Sequence, residues 1–328
     1  MGRTDKEIYR VIDNVNSYYR INSESKKELL LNKYPNAAAA YSLRLLDGYY
    51  RGPLVRVRRE GGGEGEDGVE VDVYADYNNE LSLDSLVTNV SEADDTTTNP
   101  EVDNDEYNAA FNLGLQSLGE FVHDDAYDSV NEAVTATVCV WYDQSSNENH
   151  AKQVVATSQP KVYDSTGGVV LDEDNNLPAA LFAGDYLNSG TVAAAGTATN
   201  FAVGNISGGS GNRVLFFTPE IINLFNGSDW RFITISTQVT YDSSSHATIG
   251  LHYFGANATQ GFGALNGGSV TTNNQAAGSG NKIAIGTQST NVIPFYGYIQ
   301  ECIYYASDET SNRTGIESNI NTYYSIYP

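Results

Sequence analysis

The sequence predicts a mainly β protein, a single antiparallel β-sandwich of jelly-roll type with an N-terminal helical segment and a C-terminal helix. Three observations predict it. Apolar residues alternate with period two in many short runs, and turn-forming clusters separate those runs with no strand–helix–strand alternation. Helical periodicity is confined to the two ends and one acidic stretch. The expected division is 1–36 for a helical anchor and oligomerisation segment, and 37–328 for the sandwich, with an acidic insertion around 91–131.

The head opens with Thr4-Asp5-Lys6-Glu7, whose spacing lets the Thr4 hydroxyl and the Glu7 carboxylate satisfy the first free amides of a helix. Ile8, Val11, Ile12, Val15, Tyr18 and Tyr19 then form one helical stripe. A helix this short is marginal in water, so the stripe needs a partner surface: sister copies, another protein or its own domain. A second short helix over 25–32 must stop near Tyr34, because Pro35 follows.

From Tyr41 onward the period is two. Residues 54–58 and 69–74 alternate across a loop of glycines and acids, 61–68. Further strands are expected at 136–142, 179–182, 201–206, 213–218, 231–239, 248–254, 282–285 and 296–304. Clusters such as Ser207-Gly208-Gly209-Ser210, Asn226-Gly227 and Asn266-Gly267-Gly268 supply the turns. A helix is expected within 107–121, and a last one over 308–325 with Ile316, Ile320 and Tyr323 on one face.

Charge sorts the function classes. The 328 residues carry 18 Lys+Arg against 41 Asp+Glu, a net −23. Residues 1–60 are net +5, whereas 61–132 hold 20 acids and no Lys or Arg. A chain this acidic is a poor nucleic-acid binder, since backbone phosphates need basic neutralisation. No 18-residue apolar run exists to span a membrane. The opening, MGRTDKEIYR, lacks the apolar core of a signal peptide. Cys139 and Cys302 sit in strand-like runs and read as buried thiols suited to synthesis in a reducing cytoplasm.

Few residues suggest chemistry. Asp103, Asp105 and Glu106, and again Asp172-Glu173-Asp174-Asn175-Asn176, gather hard oxygens that suit Ca2+, yet neither keeps the glycine and terminal Glu of a twelve-residue calcium loop. A solvated acidic loop is the plainer reading of both, and no other cofactor is implied. His123, His150, His246 and His252 have no paired metal spacing. No nucleophile elbow, phosphate loop or CxxC pair occurs. Trp141, Tyr142, Asp143 and Gln144 combine aromatic faces with amide and carboxylate, the ingredients of a glycan platform. Their alternative role is a strand end where Asp143 caps an Asx turn.

The run Val140-Trp141-Tyr142-Asp143-Gln144-Ser145 with Asn147, Asn149, His150, Ala151 and Gln153, together with 39–44, 50–59 and Gln159-Pro160-Lys161-Val162, resembles the arabinofuranosidase B-type catalytic domain. That resemblance implies a concanavalin A-like β-sandwich over about 37–328. Similar domains recur in virion proteins of tailed bacteriophages, and the ending (Gly297 to Glu301, Asn312-Arg313, Ile316-Glu317, Asn319 to Asn321) is similar to theirs. Members usually continue the WYDQS run with Gly-Asn-Gly, where this chain has Ser146-Asn147-Glu148. The Gly-Asn-Ala-Glu run that carries the enzymes' nucleophile is absent. The resemblance therefore implies fold rather than activity. It points to a non-enzymatic protein on the virion exterior, made in the host cytoplasm, acting as head decoration, fibre or tail appendage. Its partners would be other virion proteins, sister copies (a trimer by preference) and a host-surface glycan. The alternatives are an arabinofuranosidase-type glycoside hydrolase and a cellular carbohydrate-binding module.

Overall fold

The structure, a computed structural model, describes residues 29–61, 68–89, 116–122, 134–234, 237–242, 248–288 and 293–328. The anchor stripe (Ile8, Val11, Ile12, Val15 and Tyr19) and the acidic set Asp103, Asp105 and Glu106 lie outside the described residues.

Helix α1 (Leu30–Lys33) is followed by strands β1 (Ala39–Ser42), β2 (Val55–Glu60), β3 (Glu70–Val73) and β4 (Val87–Asn89), then helix α2 (Leu118–Val122). Next come β5 (Thr135–Trp141), β6 (Ala151–Lys152), β7 (Lys161–Asp164), β8 (Gly168–Val169), β9 (Ala180–Ala183) and β10 (Leu187–Thr191). Strand β11 (Ala198–Ile206) leads into β12 (Arg213–Phe217), β13 (Ile222–Phe225), β14 (Trp230–Ile233) and β15 (Gln238–Asp242). The chain closes with β16 (Gly250–Ala256), β17 (Gly261–Leu265), β18 (Thr271–Thr272), β19 (Lys282–Ile285), β20 (Tyr296–Tyr305) and helix α3 (Arg313–Tyr324).

One run of antiparallel pairings goes β4-β3-β2-β5-β6-β10-β19-β12-β13-β14-β15. The other goes β18-β17-β16-β11-β20-β9-β7, with β1 beside the second half of β20. Strand β7 also pairs with β5 and joins the two runs at one side. At the far side the sheets meet through glycines: a Cβ on Gly263 would come within 2.8 Å of the Phe232 ring and 3.1 Å of the Tyr241 ring. This is the expected antiparallel sandwich, with its main core between the sheets.

A second core explains why some strands hide their alternation. Every residue of β11 and β16 is buried. Their outer faces, with Ile303 and Tyr305 of β20, lie under Ile316, Ile320 and Tyr324 of α3 and Leu30 and Leu31 of α1. Strands covered on both sides lose the apolar-in, polar-out rhythm.

Several boundaries move for local reasons. The run 231–239 is a hairpin, not one strand, because Ile233 pairs with Gln238. The final helix starts at Arg313 rather than 308, since the Asp308 carboxylate accepts from the Thr310 amide at 2.9 Å and holds a turn there. Tyr324, not Tyr323, is its fully buried tyrosine. In the alternating run 54–58 the arginines are buried as well as the apolar residues. Each meets its register partner on β3, Arg56 with Asp72 at 2.9 Å and Arg58 with Glu70 at 3.0 Å. Among the described residues no helix is long and apolar enough to cross a membrane.

Candidate functional site

The most distinctive motif in the sequence forms a clasp. Trp141 ends β5 and is fully buried, with its indole nitrogen lacking an acceptor among the described residues. Asp143, also buried, accepts from the amides of Ala40 (2.8 Å), Ser145 (2.8 Å) and Asn149 (2.9 Å) and from the Ser145 hydroxyl (2.8 Å). Gln144 accepts from the Leu46 amide at 2.8 Å and donates to the carbonyls of Ser42 (3.2 Å) and Arg44 (2.8 Å). Tyr142 is half-buried and donates to Asp72 at 2.7 Å. Asn147 and Asn149 donate to the carbonyls of Ala37 and Ala38. The run thus ties the loop after β5 to residues 37–46, 98 to 111 positions away in sequence. The Asx turn at Asp143 is present, and Asp143 and Gln144 serve mainly backbone groups.

Beneath α3 lies a buried ion pair. Arg44 donates to Glu301 at 2.8 Å through Nε and at 3.1 Å through a terminal nitrogen. The Ser42 and Tyr324 hydroxyls also donate to Glu301, and the Arg44 guanidinium lies 4.7 Å from the Tyr323 ring centroid. Another buried carboxyl, Glu220, accepts from the Ala195 amide (2.6 Å) and the Tyr304 hydroxyl (3.3 Å), while its second oxygen has no donor among the described residues. Burial pushes the Glu220 carboxyl above its ordinary range.

Among the described residues an open cleft of about 310 Å3 lies where β7, β8, β9 and β20 meet. Its floor is a cross-strand row: Lys161 pairs with Leu181, and Leu181 with Tyr298. All three are half-buried, and Leu171 at one edge is 38% exposed. The opposite wall is the β7–β8 turn. There Asp164 accepts from Lys161 at 2.7 Å and from the Thr166 hydroxyl at 2.6 Å, and Gly167 and Gly168 leave the backbone bare. The volume is at the lower end of that of small-molecule sites, and an apolar floor with a few fixed polar groups is their usual make-up. Lys161 and then Thr166 hold the Asp164 carboxyl below the usual carboxylate range. Burial and then Glu173 push the Tyr298 phenol up.

Among the described residues Asp164 is the carboxylate lining the cleft, it stays ionised near neutral pH, and Glu173 lies beside the Tyr298 phenol at the edge. A general acid needs the opposite shift, and a retaining glycosidase needs a second carboxyl about 5–5.5 Å away. The cleft can hold a ring against Tyr298 and Leu181 and hydrogen-bond hydroxyls at its rim. Among the described residues no three His, Cys, Asp or Glu side chains converge in a metal-binding group.

Of the residues expected to carry function, the structure gathers Trp141, Tyr142, Asp143 and Gln144 in the clasp, away from the cleft-lining residues. The cleft residues were not singled out from sequence. The Lys161/Asp164 spacing and Gly167-Gly168 are visible there, but the row linking Lys161 to Tyr298 depends on register across three strands.

No protein-family model matches the sequence, and no curated protein matches it. Solved structures do. A GH54 α-L-arabinofuranosidase soaked with a cyclic sulfate inhibitor superposes with TM-score 0.51 at 15% identity, covering 87% of this chain and 62% of that one. An arabinofuranosidase complexed with arabinofuranosyl-α-1,2-xylobiose gives the same values. The chain spans less than two thirds of the length of these proteins, and at this identity the likeness shows the fold alone. That fold agrees with the one implied by the residues 140–153.

Proposed function

We propose that this chain is a non-enzymatic, glycan-facing protein on the exterior of a tailed-phage virion, and that its sandwich holds a saccharide in the cleft over Tyr298 and Leu181. The observation that carries the glycan reading is the cleft itself: a half-buried tyrosine and a leucine in one cross-strand row, walled by a fixed ion pair and bare glycine backbone. Aromatic and aliphatic faces suit the C–H side of a sugar ring, and rim groups suit its hydroxyls. The buried clasp, with Asp143 and Gln144 engaged mainly by backbone groups, supports moving the saccharide surface away from Trp141 to Gln144. The missing Gly-Asn-Ala-Glu run supports binding without turnover.

The virion placement rests on the recurrence of such domains in tailed-phage virion proteins and on the similarity of the ending, 297–321, to theirs. The head, with Ile8, Val11, Ile12, Val15 and Tyr19, would anchor the sandwich to sister copies as a trimer or to another virion protein.

A glycan array probed with the full chain, beside an assay of aryl-arabinofuranoside and arabinan hydrolysis, tests this reading. Binding to at least one saccharide class with no release above a no-protein control is expected. Turnover lost on changing one Asp or Glu to Ala would establish the hydrolase instead, and an array without hits would remove the glycan role. Deleting residues 1–22 should abolish oligomers in light scattering and incorporation into particles while the sandwich melts unchanged; normal assembly of the deletion would refute the anchor.

A further inference from the structure

The loop between β8 and β9 contains Asp172-Glu173-Asp174-Asn175-Asn176, and its first residue is not solvated. Asp172 is fully buried, and its Oδ1 accepts from the Asp174 amide at 3.0 Å. Its Oδ2 is buried and makes no hydrogen bond of normal length among the described residues, although the Asn205 side-chain amide and the Asn175 backbone amide lean on the carboxyl. Asn205 is on β11, outside the loop, and is 5% exposed. Its Nδ2 donates to Asp174 Oδ2 at 3.1 Å, leaving Asn205 Oδ1 as a second buried acceptor without a donor among the described residues. Asp174 Oδ2 also accepts from the Ile249 amide at 2.6 Å.

Two acidic side chains therefore flank one amide, two buried oxygens lack a hydrogen bond of normal length, and no Lys, Arg or His side chain forms an ion pair or hydrogen bond with Asp172 or Asp174 among the described residues. A buried carboxylate left this way is costly unless it is protonated or a cation joins it. All the donors are hard oxygens, with no thiolate or imidazole, which selects against zinc and copper. A loop with exposed Glu173 and Asp174 can adjust its oxygens around a large ion more readily than build the strict octahedron magnesium demands.

We propose that a calcium ion binds at the loop 172–176, taking Asp172 Oδ2 and Asp174 as its carboxylate ligands, with Asn205 Oδ1, loop carbonyls and water completing the shell. Two carboxylates rather than three or four put the affinity in the weak class of extracellular modules, about 0.1–1 mM. The site stands independently of the saccharide reading. It would nonetheless stiffen the loop that places Glu173 beside the Tyr298 phenol at the cleft.

The test is thermal melting of the EDTA-treated full chain with CaCl2 or MgCl2, followed by calorimetric titration. Ten millimolar calcium should raise the melting temperature by about 2–5 °C, reversibly with EDTA, and magnesium should do less. Asp172→Asn should lose the shift, whereas Asp103→Asn with Asp105→Asn should keep it. Asn205→Asp adds a third carboxylate and should make melting more calcium-dependent, which keeps the test decisive if Asp172→Asn does not fold. No shift in the wild type, or an undiminished shift in Asp172→Asn, overturns the site.

Discussion

Replacing Arg44 with methionine strands the Glu301 carboxylate beneath helix α3. The two side chains are 6% and 0% exposed, and they form two hydrogen bonds at 2.8 and 3.1 Å. Burial alone would lower the Arg44 pKa, but Glu301 outweighs it and raises it. In Arg44→Met, Glu301 keeps only the hydroxyls of Ser42 and Tyr324 among the contacts described above. Removing one partner of a buried pair costs about 3–5 kcal/mol, because the other charge stays buried and uncompensated. In Glu301→Gln, Arg44 keeps the faces of Tyr323 and Tyr324, at 4.7 and 5.4 Å, so the loss falls toward the lower end of that range. The double variant leaves no buried charge and should lose less than the sum of the singles, with a coupling energy of about 2–3 kcal/mol. Urea unfolding followed by circular dichroism, with equal slopes for all four proteins, measures the cycle. Single-variant losses under about 1 kcal/mol, or strict additivity, would refute the idea that each buried charge depends on the other beneath the helix.

Other outcomes follow from named contacts. The Asp143 amide donates to His150 Nδ1 at 3.1 Å, and burial lowers the His150 pKa below its ordinary 6.5. A lowered folded value means the neutral ring's contribution is present above about pH 6.5 and lost as pH falls through the folded pKa. The wild type should therefore lose melting temperature on acidification below pH 6.5 more steeply than His150→Gln, and equal slopes would contradict it. Glu220 has the opposite sign: its raised pKa means a contribution present below about pH 4.5 and lost as pH rises through the folded value. Glu220→Gln keeps an acceptor for the Ala195 amide and should flatten the decline between pH 5 and 8, which a pH series of melts reads. Gly263→Val drives methyls toward Phe232 and Tyr241 where the sheets meet and should cost about 1–3 kcal/mol in urea unfolding; a neutral result would mean the rings have room to move.

The sandwich was legible because period two survives where one face of a strand carries charged side chains, as in residues 69–74 opposite 54–58. Strand 282–285 was readable to the residue. The second core was not, since β11 and β16 are buried on both faces and show no alternation to read. Short strands such as β6, β8 and β18 carry two residues each, too few for any period. Arg56 and Arg58 find their partners on the strand beyond an acidic loop, and the matching spacing of Glu70 and Asp72 was the available signal. The motif at 141–144 advertised itself by residue type, and its chemistry turned inward: Asp143 and Gln144 hydrogen-bond mainly to backbone. The cleft gave the reverse case. Lys161, Leu181 and Tyr298 span 137 positions of sequence and meet only through register.

The most direct test of the central claim sets two tyrosines against each other in one titration. The saccharide that binds best on an array is titrated calorimetrically into the wild type, Tyr298→Ala and Tyr142→Ala, each first shown to melt cooperatively. Loss of an aromatic contact at the centre of a binding site is worth at least about tenfold in affinity. The cleft account predicts that Tyr298→Ala weakens binding by that factor or more while Tyr142→Ala binds as the wild type does. Undiminished binding by Tyr298→Ala, with loss in Tyr142→Ala, would contradict it and return the saccharide to the clasp.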